Sequence, residues 1–212
     1  MKPLNCIEMQ SVLALNNTNQ YTMEFKGVTY RGESPIDEAL AARLPEELQD
    51  FYRGSNGIIA YNGGLQIRSC TNDSHWNSLG YYWLSEGGLH THYPNLLSSD
   101  IPFGQDCVGD QFFLRDDSVW LLSAETGDII DMEASLFEFF DNCIEDPVEY
   151  LAMEPLVHHL DMEGALEPGM LVHVVPALSL ELPDDTPYHI DSLPVNERLA
   201  WLLDCFQTQA NS

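Results

Sequence analysis

The chain has 212 residues, 44% of them hydrophobic and 10% aromatic, enough to bury a core in one domain or in one domain with a substantial appendage. Thirty-four Asp and Glu stand against eight Lys and Arg, a formal net charge of −26, yet only 20% of residues are charged, so the chain is acidic without the composition of a disordered acidic tail. That field argues against nucleic acid and anionic membrane surfaces as partners, since both are bound through cations, and no run of about 18 apolar residues is present to span a bilayer.

The first residues, Met1 to Glu8, carry no apolar segment of the kind a secretory signal needs. Five cysteines (Cys6, Cys70, Cys107, Cys143, Cys205) are odd in number, widely separated and without a CxxC pair. Reduced thiols and a cytoplasmic location are therefore expected. The charge is uneven. Residues 1–106 hold 12 acids and 6 bases, whereas residues 107–212 hold 22 acids and 2 bases, a net −20. No Lys or Arg occurs in the 82 residues between Arg115 and Arg198.

In chain order, residues 21–30 alternate as in a strand or hairpin. Ser34-Pro35 reads as a helix start, with Ile36, Leu40 and Leu44 as an apolar stripe. Pro45 then opens a second helix over 46–53 with Leu48, Phe51 and Tyr52 inward, which ends at Gly54-Ser55-Asn56-Gly57. Residues 58–61 and 65–69 predict two strands about Asn62-Gly63-Gly64. Residues 70–98, rich in aromatics, carry no assignable pattern. Short runs at 101–103, 111–114, 119–122 and 128–130, separated by Gly and Asp, predict an antiparallel meander.

Ser135 and Glu138 form a capping box for a helix with Leu136, Phe139, Phe140, Cys143 and Ile144 on its apolar side. Pro147 interrupts or restarts that helix, which fades near Met153. Six prolines punctuate the last 60 residues, where 171–175 predicts a strand and 197–206 a short helix. The expected class is α+β: a largely antiparallel mixed sheet with helices packed on one side. Residues 1–153 would form the domain, and residues 154–212 a Pro-rich extension packed on it.

Catalytic signatures are missing. His90-Thr91-His92 lacks further ligands at a metal spacing, and His158-His159 point apart on a helix. No DxDxDG calcium loop, GxSxG, P-loop or GxGxxG occurs, and eight bases provide little to activate a cysteine. No enzyme activity, cofactor or metal is expected.

The segment Leu44-Pro45-Glu46-Glu47-Leu48-Gln49-Asp50-Phe51-Tyr52 with Asn56-Gly57 resembles the helix-then-NG opening of the SMI1/KNR4, or SUKH, superfamily. Ile101-Pro102-Phe103-Gly104-Gln105-Asp106-Cys107-Val108-Gly109-Asp110-Gln111-Phe112-Phe113-Leu114 is similar to that family's central LPFGxDxxGxxFxL signature. Val119-Trp120-Leu121-Leu122, Gly127-Asp128-Ile129 and Ser135-Leu136-Phe137-Glu138-Phe139-Phe140 are similar to its closing pattern. The likeness covers about residues 36–150. Gly164 to Val172 looks like the extension of some bacterial members, while the 70–98 insertion and the long tail depart from the pattern.

The resemblance implies an α+β protein used in bacteria as an immunity protein. It would neutralise a cognate polymorphic toxin delivered by contact-dependent inhibition or type VI secretion. Such a toxin is expected to be basic, as the many nucleases among these toxins are, with its active-site cleft covered by an acidic surface. The expected partner-binding residues are Asp106, Asp110, Asp116, Asp117, Glu125, Asp128 and Asp131, with Trp83, Trp120 and Tyr93 as aromatic anchors beside Trp76. The alternative is a non-catalytic regulatory or scaffold protein of the same fold with no toxin partner.

Overall fold

A computed structural model of the protein describes residues 23–180, 182–183 and 186–210. Its frame is a seven-stranded sheet in which every strand pairs antiparallel with the next: β1 (Tyr30–Arg31), β2 (Ile58–Ala60), β3 (Leu65–Ile67), β4 (Ile101–Asp106), β5 (Gln111–Arg115), β6 (Ser118–Leu122) and β7 (Ile129–Asp131). A second sheet is the hairpin of β8 (Met170–Val175) and β9 (His189–Pro194). The expected α+β class holds, with an all-antiparallel sheet.

One face of the large sheet receives α1 (Glu38–Ala41), α2 (Glu46–Gly54) and α4 (Leu136–Glu145). Leu48, Phe51 and Tyr52 of α2 and Leu136, Phe139 and Phe140 of α4 share one core with Ile58, Ile67, Phe103, Phe112, Leu114 and Val119 of the strands. The four-residue spacing in these helices puts their apolar side chains on one stripe. Phe139 packs on Phe112 at 4.8 Å between ring centroids, and Phe51 stacks on Phe140 at 5.1 Å.

The other face is covered too. Phe113 and Leu122 meet Tyr82, Leu89, Tyr93 and Leu96 from the 70–98 segment and Leu202 from α7 (Val195–Ala210). Being buried on both faces, β5 reads Gln-Phe-Phe-Leu, without the alternation of a half-exposed strand. Within the 70–98 segment, α3 (Leu79–Leu84) starts at Ser78, whose hydroxyl accepts from Tyr81 N.

Between Ile101↔Leu114 and Gly104↔Phe112 the β4–β5 register slips by one residue. Pro102 sits in that bulge, where its missing N–H costs the ladder nothing. The remaining helices are α5 (Pro147–Tyr150) and α6 (Glu154–Met162). Leu156 of α6 and Val172 and Val174 of β8 join the main core, so residues beyond 153 pack into the same interior as those before it.

Several local expectations are corrected. Residues 21 and 22 of the 21–30 strand lie outside the described residues, and only Tyr30 of that stretch is strand; Lys26 and Gly27 instead accept from Tyr61 N and Asn62 N. The first helix is capped by Asp37, whose Oδ1 accepts from Ala39 N and Leu40 N; the Ser34 carbonyl is held by Asn56 Nδ2 instead. The residue with positive φ after α2 is Gly57, at 88°. The β2–β3 connection spans Tyr61–Gly63 as a 3-10 turn closed by the pair Ala60↔Leu65. The fading expected near Met153 is replaced by α6, begun by Pro155 near its N-terminus, and β9 was not foreseen.

Candidate functional site

The conspicuous Asp-Cys-Val-Gly-Asp stretch forms the connection between β4 and β5. One carboxylate oxygen of Asp106 accepts from the N–H groups of Val108 (2.9 Å), Gly109 (2.8 Å) and Asp110 (3.0 Å), folding the loop around itself. Gly109 adopts φ 105°, and a Cβ there would lie 2.7 Å from Leu202 Cδ1. Only glycine satisfies both conditions. The loop sets Asp110, whose Oδ1 accepts from Ala124 N at 2.8 Å.

Ala124 begins the facing loop, between β6 and β7. That loop is braced from beneath by the aromatic insertion: Tyr93 donates its hydroxyl to Ala124 O at 3.0 Å, and Asn95 Nδ2 donates to Gly127 O at 3.0 Å. Glu125 follows, 5% exposed, and accepts from Leu178 N (3.3 Å) and Ser179 N (2.8 Å).

Arg198, in the first turns of α7, ties these pieces together. Its side chain is fully buried and its Nε donates to Val108 O at 3.0 Å. Nη1 lies 3.1 Å from Nδ1 of His173 on β8. A guanidinium only donates, so this Nδ1 accepts and the imidazole proton sits on Nε2. Burial, and then the charge of Arg198, lower the His173 pKa accordingly. Nη2 lies 3.6 Å from Glu125 Oε1 and has no hydrogen-bond partner. Trp201 stacks beneath the guanidinium at 4.6 Å.

Between the two loops and α7 lies a recess of about 330 Å³. Asp110, Glu125 and Arg198 lie in its wall, Val108 and Leu202 contribute apolar surface, and the exposed Asp128, Ile130 and Leu178 complete the lining. Burial and the charge of Glu125 raise Asp110 to about 6, against lowering by the Ala124 N–H and Arg198. Burial also raises Asp106 well above the carboxylate range, with Asp110 next in effect.

The structure sorts the expected binding residues. Asp110, Glu125 and Asp128 come together in the recess. Asp106 is 5% exposed and occupied in holding the loop, so it acts as an internal anchor and not as a contact. Trp83 is 6% exposed, its Nε1 donates to Ser98 O, and Arg43 covers its ring; Tyr93 is 3% exposed beneath Ala124. Both are core residues and cannot anchor a partner on this surface. Trp120 is half-buried under Arg115, and Trp76 packs on Tyr30. Asp116 and Asp117 form the two-residue β5–β6 turn, φ 50° and 64°, at the end of the hairpin remote from the recess. Asp131 is exposed on β7, where it accepts from Glu133 N.

Sequence reasoning missed Arg198, His173, Ile130 and Leu178. Arg198 left one signal: it is one of two bases in residues 107–212, set in the apolar-spaced start of a helix.

The architecture belongs to the class of antiparallel α+β meanders, here with an acidic recess at the β4–β5 and β6–β7 loops. No protein-family model matches the chain, and no curated protein matches it. The fold is similar to that in the crystal structure of Atu4351 from Agrobacterium tumefaciens, at a TM-score of 0.50 and 14% identity, over 83% of this chain and 85% of that one. Among the described residues no helix is long and apolar enough to cross a membrane, and no group of three or more His, Cys, Asp or Glu is placed to hold a metal ion.

Proposed function

We propose that this chain is a cytoplasmic, non-catalytic immunity protein of the SMI1/KNR4 type. It binds a basic protein toxin and blocks it with an acidic face centred on the recess. One observation carries this reading: the bases of the acidic half are spent internally. Arg115 is bound by Asp100 through two contacts, 3.0 and 2.6 Å, and Arg198 is buried against Glu125. Among the described residues of 107–212, the exposed Asp and Glu side chains therefore have neither Arg115 nor Arg198 free to pair with them. Such a field draws in a basic partner and speeds their encounter. The stretch that resembles the family signature also builds the loop that carries Asp110, which supports the same reading.

The test is co-expression with the product of the neighbouring toxin-like gene. Cell rescue together with a complex that survives purification is the expected result. Absence of rescue, or absence of a complex, overturns the proposal and leaves a regulatory or scaffold role.

A further inference from the structure

The recess is more than an acidic patch, because its charges are sorted by depth. Glu125 already faces Arg198 at 3.6 Å, and both of its oxygens accept backbone N–H groups. That buried pair leaves the exposed Asp128 and the half-buried Asp110 as the carboxylates within reach of a newcomer, with Arg198 acting on Asp110 from behind. Ile130 and Leu178, exposed by 51% and 44%, lie along the same recess and offer apolar surface beside the acids. A volume of about 330 Å³ exceeds what a single ion needs and suits a side chain entering end-on. The Arg198 Nη2, buried without a hydrogen-bond partner, also offers one donor to an incoming acceptor.

We infer that the recess is a socket for one arginine side chain of the partner protein, with its methylenes along Ile130 and Leu178 and its guanidinium on Asp110 and Asp128. This rests on the reading that the partner is a basic protein, and it names where that partner is gripped. Arginine fits better than lysine on two counts. Its planar fork can engage two carboxylates at once, and it is the more weakly hydrated cation in a half-enclosed site. Asp110, raised to about 6, loses its proton as the guanidinium arrives, so capture is stronger at pH 7.5 than at pH 5.5.

The probe is an acetyl-capped, amidated Gly-Ser-Arg-Ser-Gly peptide, with citrulline in place of arginine as the uncharged isostere. Backbone amide shifts of the isotope-labelled protein are followed to 10 mM peptide. Saturable shifts confined to Ser123, Thr126, Ile130 and Ser179 are expected, with at least fivefold tighter binding of arginine than of citrulline. Asp128→Asn, exposed and outside the core, should weaken binding at least threefold, and D110N/D128N should abolish saturation. The control D141N/E145Q, which removes the same charge elsewhere, should bind as the unaltered protein does. Equal binding of citrulline, saturation persisting in D110N/D128N, no saturable shift at 10 mM, or equal loss in the control overturns the socket. Toxin neutralisation is read separately by rescue. If D110N/D128N still rescues cells, the socket fails while the immunity reading stands; absence of rescue by the unaltered protein sinks that reading without touching the peptide result.

Discussion

Asp110→Asn should make the protein more stable at neutral pH, an unusual expectation for a half-buried carboxylate that accepts a hydrogen bond. The reason lies in its neighbours. Its pKa is displaced from an ordinary 3.8 to about 6, with burial the largest cause and Glu125 the charged group that raises it. A carboxyl whose folded pKa is raised binds protons more tightly in the folded state, so stability falls as pH rises from about 4 to 6 and the full cost is present above 6. At 1.36 kcal/mol per tenfold, that cost is about 3 kcal/mol at pH 7.5 and about half as much at pH 5. Asparagine keeps the acceptor for Ala124 N but must place its amide hydrogens, so a net gain of about 1–2 kcal/mol is expected.

The assay is urea denaturation of both proteins at pH 7.5 and pH 5.0, followed by tryptophan fluorescence. At pH 7.5 the variant's midpoint should lie higher, and in a thermal scan it should melt about 2–8 °C later, since 1 kcal/mol is worth about 2–4 °C in a domain of this size. The advantage should shrink by about half at pH 5.0. A variant less stable at pH 7.5, or an advantage equal at both pH values, refutes the assignment of Asp110 as a strained acid. If the expectation holds, Asp110 destabilises the fold while serving the recess, a familiar trade at binding sites.

Other outcomes follow from the same contacts. Tyr93→Phe removes the bond to Ala124 O and should cost about 1 kcal/mol in denaturant unfolding. Gly127→Ala places a Cβ 2.4 Å from the Phe206 ring at φ 75° and should cost about 1–3 kcal/mol, read by the same assay. Association with the basic partner should slow roughly tenfold or more between 50 and 500 mM NaCl in stopped-flow measurements, with dissociation much less affected.

How much of this was legible in the sequence depends on whether the cause was local. The Ser135–Glu138 capping box forms as read, because both partners lie within one turn. The loop closed by Asp106 and Gly109 was visible as a glycine-bearing turn between two strands, and the meander strands lie close to where their turn residues placed them. The 70–98 segment was opaque because its shape is set from outside: Trp83 and Tyr93 are ordered by Ser98 O and Ala124 O, not by any periodicity of their own. The same distance hid the site. Arg198 reaches Val108 across 90 residues of sequence, and nothing in either neighbourhood announces the other. Aromatic residues also mislead as anchors, since a ring large enough to grip a partner is large enough to fill a core.

The second fully buried arginine, Arg68, shows how the signature region is held. In a chain of 34 acids its hydrogen-bond partners are carbonyls and amides: Pro102 O (2.8 Å), Gly104 O (3.1 Å), Gln105 Oε1 (3.0 Å) and Gln111 Oε1 (2.5 Å), with the Tyr82 ring 4.1 Å away. Burial pulls its pKa down to about 10, so it remains protonated at neutral pH. Two of its acceptors are backbone carbonyls in and beside the β4 bulge, where the ladder to β5 is interrupted. Gln111 passes the network on to Gly109 O, in the loop that presents Asp110. Arg68 thus fixes the bulge that aims the recess. Arg68→Met should take the guanidinium donor from the Pro102 and Gly104 carbonyls and from Gln111 Oε1, while Gln105 Oε1 keeps its bond from Gln111 Nε2, and should cost about 3 kcal/mol or more. Arg68→Lys restores the charge but not the fork, and should recover part of that loss. If instead the methionine variant unfolds at the unaltered urea midpoint and the Gly109 and Asp110 amide shifts do not move, the network is decorative and the loop holds its shape through Asp106 alone.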